Sequence, residues 1–319
     1  MYKILITGGC GFIGSHLTEY LFDKYKDSKI IVFDKITYAA SIQNLKKIKD
    51  NKRIQIIKKD LLDYQAIKKY SKGVDLLIHA AAESHVDNSF ALNDEFILTN
   101  ILGTKNVLNA CKENKVKKII HVSTDEVYGE INKGSYNEKS RFNPSNPYSS
   151  SKAAAEMIVN GYIHSYNLPV MIVRANNIFG TRQHPEKLIA GCCWSLIKNK
   201  KLKVHGNGKQ KRTFLYVRDF CEAIYTIIKK GKVNEIYNIG TKFEYKNIDI
   251  IKLITKINQK DFKKSITYVK DRPFNDFRYS INFDKVKRLG WKPKTKLESK
   301  LVEINKWYIK NIKRYPKRS

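Results

Sequence analysis

The sequence feature that most constrains the fold is a glycine-rich turn. Residues 8–14 read Gly-Gly-Cys-Gly-Phe-Ile-Gly, directly after an apolar run at residues 3–7 and directly before a helical pattern at residues 15–24. Glycines spaced three residues apart let the backbone turn tightly and approach a pyrophosphate, which then lies at the positive end of the following helix. The spacing differs from G-x-G-x-x-G, so we interpret the segment as a variant of that dinucleotide-binding turn.

Apolar runs and helical patterns then alternate along the chain, which indicates a parallel α/β sheet. A long helix is expected at residues 95–113, with Phe96, Ile97, Ile101, Val107, Leu108 and Cys111 on its apolar face. Further strands are predicted at residues 30–33, 54–57, 75–79, 118–122 and 170–174, the last finishing the parallel sheet, and a second long helix at residues 148–166. The sequence therefore predicts a Rossmann-type, doubly wound α/β fold.

The second predicted strand ends at Asp34, twenty residues beyond Gly14. A carboxylate at this place accepts hydrogen bonds from the adenosine ribose hydroxyls and repels a 2′-phosphate, so NAD is favoured over NADP. The neighbouring Lys35 works slightly against that preference, and Asp34 could instead be a turn or helix-capping residue. The expected cofactor contacts are Gly8, Gly11, Phe12, Ile13, Gly14, Asp34, Lys35, Thr37, Asp60, Leu61, Ala80, Ala81, Ala82, Thr99, Tyr148 and Lys152.

The regular alternation of strands and helices ends after residue 175. We expect an NAD-binding domain over residues 1–175, with a returning segment near residues 204–240. Residues 176–203 and 241–319 are expected to form a smaller, discontinuous substrate lobe.

Tyr148 and Lys152 lie one helical turn apart, so both side chains fall on the same helix face and can reach one substrate atom. This spacing indicates a proton-handling pair, although an aromatic residue beside a solvated surface lysine gives the same pattern. Thr124, Asp125 and Glu126 follow a predicted strand, at the sheet edge where ligands bind in open parallel sheets. The alternative for the two acids is a solvated loop.

Composition limits the other classes of function. The chain carries 61 Lys and Arg against 30 Asp and Glu, a net charge of +31, which could indicate a nucleic-acid binder. The lysines are scattered, and only residues 306–319 form a uniformly basic tail, so nucleic-acid binding is not favoured. Five cysteines without C-x-x-C spacing predict buried, reduced thiols and no metal site. No leader and no membrane-spanning run are present, so we expect a soluble, cytoplasmic protein with no membrane partner.

Five segments in order carry a family resemblance. They are Gly-Gly-Cys-Gly-Phe-Ile-Gly, Ala-Ala-Glu-Ser-His-Val-Asp, Ser-Thr-Asp-Glu-Val-Tyr-Gly, Tyr-x-x-x-Lys and Pro-Glu-Lys-Leu-Ile. Together they resemble the nucleotide-sugar 4,6-dehydratases of the extended short-chain dehydrogenase/reductase superfamily, which are hydro-lyases. Sibling 4-epimerases and UDP-glucuronate decarboxylases look similar at Tyr148 and Lys152 but lack the Asp-Glu pair. These siblings stay open as alternatives, as does, more remotely, a non-catalytic nucleic-acid-binding relative.

The resemblance implies a role for each catalytic residue. Tyr148 takes the proton of the sugar 4-hydroxyl while C4 gives hydride to NAD, and Thr124 hydrogen-bonds the same oxygen. Lys152 and the nicotinamide charge are expected to lower the pKa of Tyr148. Glu126 is then the base at C5 and Asp125 the acid at the departing 6-hydroxyl. Hydride returns to C6, so NAD is regenerated.

The resemblance also implies the substrate contacts, the substrate and the assembly. The segment Asp-Arg-Pro-Phe-Asn at residues 271–275 looks like the UDP-glucose 4,6-dehydratase part of plant rhamnose synthases, which favours UDP-glucose over dTDP-glucose. Ile178 replaces an asparagine of many relatives and leaves that contact unsupported. A homodimer is expected through residues 95–113 and 148–166. The expected substrate contacts are Ser84, His85, Thr124, Asn177, Glu186, Lys187, Leu188, Arg212, Asn247, Arg272 and Asn275.

Overall fold

The secondary structure comes from a computed structural model that describes residues 1–316, so Lys317 and Arg318 of the predicted basic tail lie outside the described residues. The strands are β1 (Tyr2–Thr7), β2 (Ser28–Asp34), β3 (Ile54–Lys58), β4 (Leu76–His79), β5 (Lys118–Thr124), β6 (Val170–Ala175), β7 (Asn177–Phe179), β8 (Leu202–His205), β9 (Lys211–Tyr216), β10 (Ile236–Ile239), β11 (Glu244–Lys246) and β12 (Ile266–Val269). The α-helices are α1 (Phe12–Lys24), α2 (Tyr64–Ser71), α3 (Val86–Ala91), α4 (Asn93–Phe96), α5 (Gly103–Glu113), α6 (Pro147–Tyr166), α7 (Leu188–Ile197), α8 (Val217–Lys230), α9 (Asn247–Ile257), α10 (Phe262–Ser265), α11 (Asp284–Arg288) and α12 (Glu298–Asn311). A π-helical segment covers Ile97–Leu102, and 3₁₀ turns cover Ile42–Leu45, Asp125–Tyr128 and Ile312–Arg314.

The central sheet has seven parallel strands in the order β10-β6-β5-β4-β1-β2-β3. The expectation that the strand at residues 170–174 finishes the sheet is therefore wrong, because β10 pairs with β6 beyond it. β10 has only four residues, Ile-Tyr-Asn-Ile, and so lacks the long apolar run that marks a buried strand in a sequence. Its place is set by α8, which returns the chain to this edge.

Helices cover both faces of the sheet. Along β1, Ile4 and Ile6 pack into one buried cluster with residues of α1 and α8, whereas Leu5 packs into another with residues of α2, α5 and α6. Neighbouring side chains of a strand point to opposite faces, so a run of consecutive apolar residues such as Ile4-Leu5-Ile6 needs cover on both faces. The predicted doubly wound α/β fold is confirmed.

A separate buried cluster holds the smaller elements together. It joins Trp194 of α7, Ile250 of α9 and Leu301 of α12, with residues of β8, β9 and β12. A three-stranded sheet in the order β11-β9-β7 and a parallel pair of β12 and β8 lie in the same part of the chain. The domain boundaries given above stay a prediction.

The helix expected at residues 95–113 is interrupted by the π-helical segment. Phe96 is 2% exposed, but Ile97, predicted for the same apolar face, is 51% exposed. A π-helical turn contains an additional residue and changes which side chains share a face. The buried position goes instead to Asn100, a polar residue in the middle of the segment.

No helix within residues 1–316 combines the length and apolar character that crossing a bilayer requires. All five cysteines are buried.

Candidate active site

All the predicted cofactor contacts, from Gly8 to Lys152, line one cleft at the carboxyl end of the parallel sheet. The strands β1, β2, β4 and β5 end at this edge, and the loops after them supply most of the lining. Ligands of open α/β sheets bind at this edge because adjacent loops diverge there and leave a crevice. Binding by the individual residues stays a prediction.

The glycine turn is packed too closely for any other residue. A Cβ atom on Gly14 would lie 2.1 Å from the carbonyl oxygen of Gly8, and one on Gly8 would lie 2.7 Å from Cα of Ala81. Gly8 also has a φ of +68°, in the left-handed region that favours glycine. Because no side chain caps α1 at Gly11, its first N–H groups are left for a ligand in the cleft. This cradle fits the pyrophosphate of a dinucleotide.

Asp34 is tied to the glycine turn. Its two carboxylate oxygens accept hydrogen bonds from the backbone N–H of Cys10 (2.8 Å) and Ile36 (2.7 Å). Asp34 therefore does hold the turn, as the alternative predicts, and its contact with the ribose stays a prediction. Lys35 does not oppose Asp34 as a free charge, because its Nζ pairs with Asp60 at 2.8 Å.

The proton-handling pair is buried rather than solvated. Tyr148 is 9% exposed and Lys152 is 4% exposed, so the surface-helix alternative is wrong. The first turn of α6 is fixed by a capping box in which Asn146 and Ser149 exchange side-chain and backbone hydrogen bonds. Lys152 donates a hydrogen bond to the carbonyl oxygen of Val122 at 2.8 Å, and burial lowers the pKa of its ammonium to about 8.

The pKa of Tyr148 differs from expectation. Burial and the nearby carboxylate of Glu126 raise the pKa of its phenol, and only the hydrogen bond with Thr124 acts in the opposite direction. In the protein by itself this pKa is therefore raised rather than lowered, and Lys152 is not among the groups with the largest effect on it. The phenol therefore needs a further positive charge in the cleft before it ionises.

The two adjacent acids lie in a 3₁₀ turn and point to different surroundings. The hydroxyl of Thr124 caps the turn by accepting a hydrogen bond from the N–H of Glu126. Asp125 is 2% exposed and accepts a hydrogen bond from the amide of Asn176 at 2.7 Å, whereas Glu126 is half-buried and lines the cleft. The solvated-loop alternative is therefore wrong. Within residues 1–316, the set that lines the cleft does not include Asp125.

Electrostatics separate these carboxyl groups further. Burial and the charge of Glu126 raise the pKa of Asp125 to about 7. Burial also raises the pKa of Glu126, but the charges of Lys187 and Arg212 oppose the rise. Near neutral pH the pair can therefore hold one proton donor and one acceptor, which suits general acid and base catalysis.

Some predicted substrate contacts reach the cleft and others do not. Ser84, Thr124, Asn177, Glu186 and Lys187 line it. His85, Leu188, Arg212, Asn247, Arg272 and Asn275 lie outside its lining.

The residues outside the lining have other surroundings. Arg272 forms an ion pair with Asp87 at 2.5 Å, and Arg212 donates a hydrogen bond to Asn275 at 3.3 Å. Asn247 has a buried side-chain oxygen without a hydrogen-bond partner among the described residues. The substrate contact of Asn247 stays a prediction.

Three residues that shape the site are not among the predicted site residues. Asn176 holds Asp125, and the hydroxyl of Tyr38 donates a hydrogen bond to Glu186 at 2.8 Å. The side chain of Asn100 bonds both the N–H and the C=O of Glu83. The sequence signal for Asn176 was the doubled asparagine after β6. The signal for Asn100 was a lone asparagine within an apolar helix. Within residues 1–316, no group of three or more His, Cys, Asp or Glu side chains is arranged to hold a metal ion.

Comparison with known proteins places this geometry in a family. Residues 5–304 match the family model described as GDP-mannose 4,6 dehydratase. The chain belongs to the GDP-mannose 4,6 dehydratase family. It is 43% identical to a dTDP-D-glucose 4,6-dehydratase of Dictyostelium discoideum, over 97% of this chain and 82% of that protein.

Other relatives share the same scaffold. A trifunctional protein of Arabidopsis thaliana, whose name includes UDP-glucose 4,6-dehydratase, is 41% identical over 97% of this chain, which spans 47% of that protein's length. The crystal structure of a dTDP-glucose 4,6-dehydratase from Streptomyces venezuelae with NAD bound has a TM-score of 0.96 and 35% identity, covering 98% of this chain and 99% of that one. A UDP-glucose 4-epimerase from Thermotoga maritima has a TM-score of 0.88 and 27% identity, covering 97% and 99%.

The GDP-mannose 4,6 dehydratase family membership confirms several predictions. The chain is a member of the nucleotide-sugar 4,6-dehydratases of the extended short-chain dehydrogenase/reductase superfamily, which are hydro-lyases. NAD is the cofactor of this class, and the glycine cradle and Asp34 fit it. Epimerase structures match with lower identity, so they show the shared scaffold rather than a shared reaction.

Proposed function

We propose that this chain removes water from dTDP-glucose to give the 4-keto-6-deoxyglucose nucleotide, with UDP-glucose as the second candidate substrate. The observation that carries the proposal is the pair Asp125 and Glu126, placed by one turn beside Tyr148, with Asp125 enclosed and bonded to Asn176 and Glu126 lining the cleft. A 4-epimerase or a decarboxylase has no use for a buried acid at position 125. The pair supports a reaction that needs a base and an acid at neighbouring carbon atoms.

The chain's own groups supply the proton transfers. Tyr148 removes the proton of the sugar 4-hydroxyl, and Thr124, which is hydrogen-bonded to Tyr148, holds the same oxygen. Lys152 is fixed below them by the carbonyl of Val122 and contributes its positive charge to the site. The glycine turn and Asp34 would hold NAD, which would supply a hydride acceptor for C4 and the hydride that C6 later receives.

Elimination follows once C4 is a ketone, because a ketone makes the hydrogen on C5 acidic. Glu126, which lines the cleft, removes that proton as a base. Asp125, with a pKa of about 7, protonates the 6-hydroxyl so that it leaves as water. Glu126 returns its proton to C5 when C6 receives hydride, so the net loss is one water molecule, and each proton transfer is worth on the order of 10²–10⁴ in rate.

Different observations favour each of the two candidate nucleotides. The relatives named dTDP-D-glucose and dTDP-glucose 4,6-dehydratase, at 43% and 35% identity, favour dTDP-glucose. The Arabidopsis relative and the segment at residues 271–275 favour UDP-glucose. In that segment Asn275 is already used within the protein, since it donates to Asp271 and accepts from Arg212.

Competition between the two nucleotides tests the substrate. With both present at equal concentration, we expect the dTDP product to form faster, measured by mass spectrometry over the first turnovers. Faster formation of the UDP product would reverse the order of the two candidates. Turnover of neither would contradict the proposal as a whole.

We also propose a homodimer formed through the face that carries the π-helical segment. Ile97, Leu98 and Leu102 are 40–51% exposed there, and Met157 of the neighbouring α6 is 54% exposed. An exposed apolar patch shared by two packed helices supports association with a second copy. The cytoplasmic location and the lack of nucleic-acid binding stay predictions.

A further inference from the structure

Two segments from distant parts of the chain meet across the mouth of the cleft. Residues 37–40, which follow β2, line one side through Thr37, Ala39 and Ala40. Residues 183–187, which precede α7, line another side. Tyr38 lies between Thr37 and Ala39 in the first segment, and its side chain contacts the second segment.

Three contacts define the meeting point. The hydroxyl of Tyr38 donates a hydrogen bond to Oε2 of Glu186 at 2.8 Å. Its ring meets the imidazole of His184 edge to face, with centroids 5.0 Å apart. The amide of Asn88 donates to the same tyrosine hydroxyl at 3.2 Å. The hydrogen bond thus joins two loops, and its two residues are 148 positions apart in the sequence.

Glu186 is a strong acceptor. Its side chain is only 4% exposed. Burial acts to raise its pKa, but the hydrogen bond with His184 and the charge of Lys187 outweigh burial and hold the pKa at about 2. The carboxylate is therefore ionised at neutral pH, and a hydrogen bond to an ionised acceptor is stronger than one between neutral groups.

The second segment is fixed independently of Tyr38. Arg182 pairs with Glu19 of α1 at 2.6 Å, and Tyr308 of α12 donates to the carbonyl of Gln183. Lys187 donates to the carbonyl of Ser84 at 2.6 Å. Tyr38 itself is 50% exposed, and its side chain contacts the second segment through Glu186 and His184. Opening the cleft on this side requires the contact between Tyr38 and Glu186 to break.

We propose that Tyr38 and Glu186 form a clasp that closes the cleft over bound NAD and slows its release. The segments that the clasp joins both line the cleft in which all the predicted cofactor contacts lie. Because the family's reaction returns the hydride within each turnover, the cofactor has no need to leave, and slow release does not limit the rate. The proposal depends on the cofactor alone and holds for either sugar nucleotide.

The test compares release of NAD from the holoprotein of the parent and of Tyr38→Phe. The substitution removes the hydroxyl but keeps the ring against His184. We expect bound NAD to exchange with an excess of isotopically labelled NAD about tenfold faster, the effect of losing one hydrogen bond to a charged group. The matched control is Tyr245→Phe, which removes a similar bond of 2.9 Å to Glu298 away from the cleft lining and is expected to leave the exchange rate unchanged.

A second variant covers the case in which Tyr38→Phe does not yield folded protein. Asn88→Ala removes the other partner of the tyrosine hydroxyl at a half-buried position, and we expect a smaller acceleration in the same direction. Thermal unfolding of each holoprotein checks that the fold is kept. If NAD exchanges at the parental rate in folded Tyr38→Phe, the clasp is overturned. If Tyr38→Phe does not fold, exchange at the parental rate in Asn88→Ala overturns it. Equal acceleration in Tyr245→Phe overturns it as well.

Discussion

Asp125 and Glu126 are neighbours in the sequence, yet their surroundings give them different chemistry. Asp125 is enclosed and bonded to Asn176, whereas Glu126 lines the cleft and is within the influence of Lys187 and Arg212. In an enclosed site a second negative charge is costly, and burial together with the charge of Glu126 raises the pKa of Asp125 to about 7. The division into acid and base follows from burial and from neighbouring cations.

Replacing Asp125 by asparagine tests this division through stability. The folded pKa is about 7, above the value of about 3.9 for an unfolded aspartate. The stability that the protonated group contributes is therefore complete below pH 4 and is lost as the pH rises through 7. We expect the free energy of unfolding of the parent to fall relative to Asp125→Asn across this range by on the order of a few kcal/mol.

The measurement is chemical denaturation of both proteins at several pH values. Other titrating groups are common to both proteins and cancel in the difference. A difference that stays constant between pH 4 and pH 7 would show that Asp125 is ionised throughout, which contradicts its role as the acid.

For single residues, the sequence predicted which side chains form the site better than it predicted their pKa shifts and hydrogen-bond partners. The strand end before Thr124 and the spacing of Tyr148 and Lys152 are local, so their meeting in one cleft could be foreseen. The raised pKa of Tyr148 and the carbonyl partner of Lys152 depend on how deeply α6 packs, which no local pattern records.

The glycine turn and α1 form the element on which the cofactor site depends. The backbones of Gly8 and Gly14 are in contact, with no room for a methyl group. The close approach brings the first N–H groups of α1 to the cleft, where a pyrophosphate balances their partial positive charge.

Gly14→Ala is therefore expected to abolish retention of NAD, because its methyl group must displace the carbonyl of Gly8. The control is Gly161→Ala in α6, where a Cβ meets nothing within 4 Å. That change is expected to stabilise the protein by roughly 0.5–1 kcal/mol, the usual gain for a helical glycine. Absorbance of the purified proteins measures bound NAD. Normal NAD content in Gly14→Ala would show that the turn does not carry the cofactor.

Two elements show where local patterns fail. The π-helical segment Ile97–Leu102 was predicted as ordinary helix, because apolar spacing does not reveal one additional residue in a turn. The packing of Asn100 against the backbone of Glu83 and the hydroxyl of Ser151 accompanies this geometry. The strand β10 was not assigned to the sheet because its four residues acquire their place only through the return of α8.

At the scale of the whole molecule, the proposed dimer makes a direct prediction. Leu98→Glu places a charge in the exposed apolar face and is expected to convert a dimer into a monomer, since an unpaired charge is costly to bury. Val302→Glu on α12 is the control, because Val302 is 47% exposed and lies on a different helix. Sedimentation velocity distinguishes the two states. A parent that sediments as a monomer, or a Leu98 variant that remains dimeric, would exclude this interface.

The net charge of +31 also has an expected consequence. A positive surface attracts a negatively charged sugar nucleotide over a distance that shortens as salt is added. We expect kcat/KM to fall with increasing ionic strength while kcat changes little. Steady-state kinetics with potassium chloride from low to physiological concentration measures this effect. A kcat/KM that is independent of salt would show that the excess charge has no part in substrate capture.

The central claim is that Asp125 and Glu126 turn an oxidised sugar into a dehydrated one. The most direct measurement incubates the purified protein and its Asp125→Asn variant with dTDP-glucose and, separately, with UDP-glucose. The mass of the nucleotide sugar and the absorbance of NADH are followed together. We predict that the parent product is lighter by one water molecule, and that the variant accumulates NADH absorbance with water loss slowed by on the order of 10²–10⁴. Water loss at the parental rate in Asp125→Asn would contradict the claim.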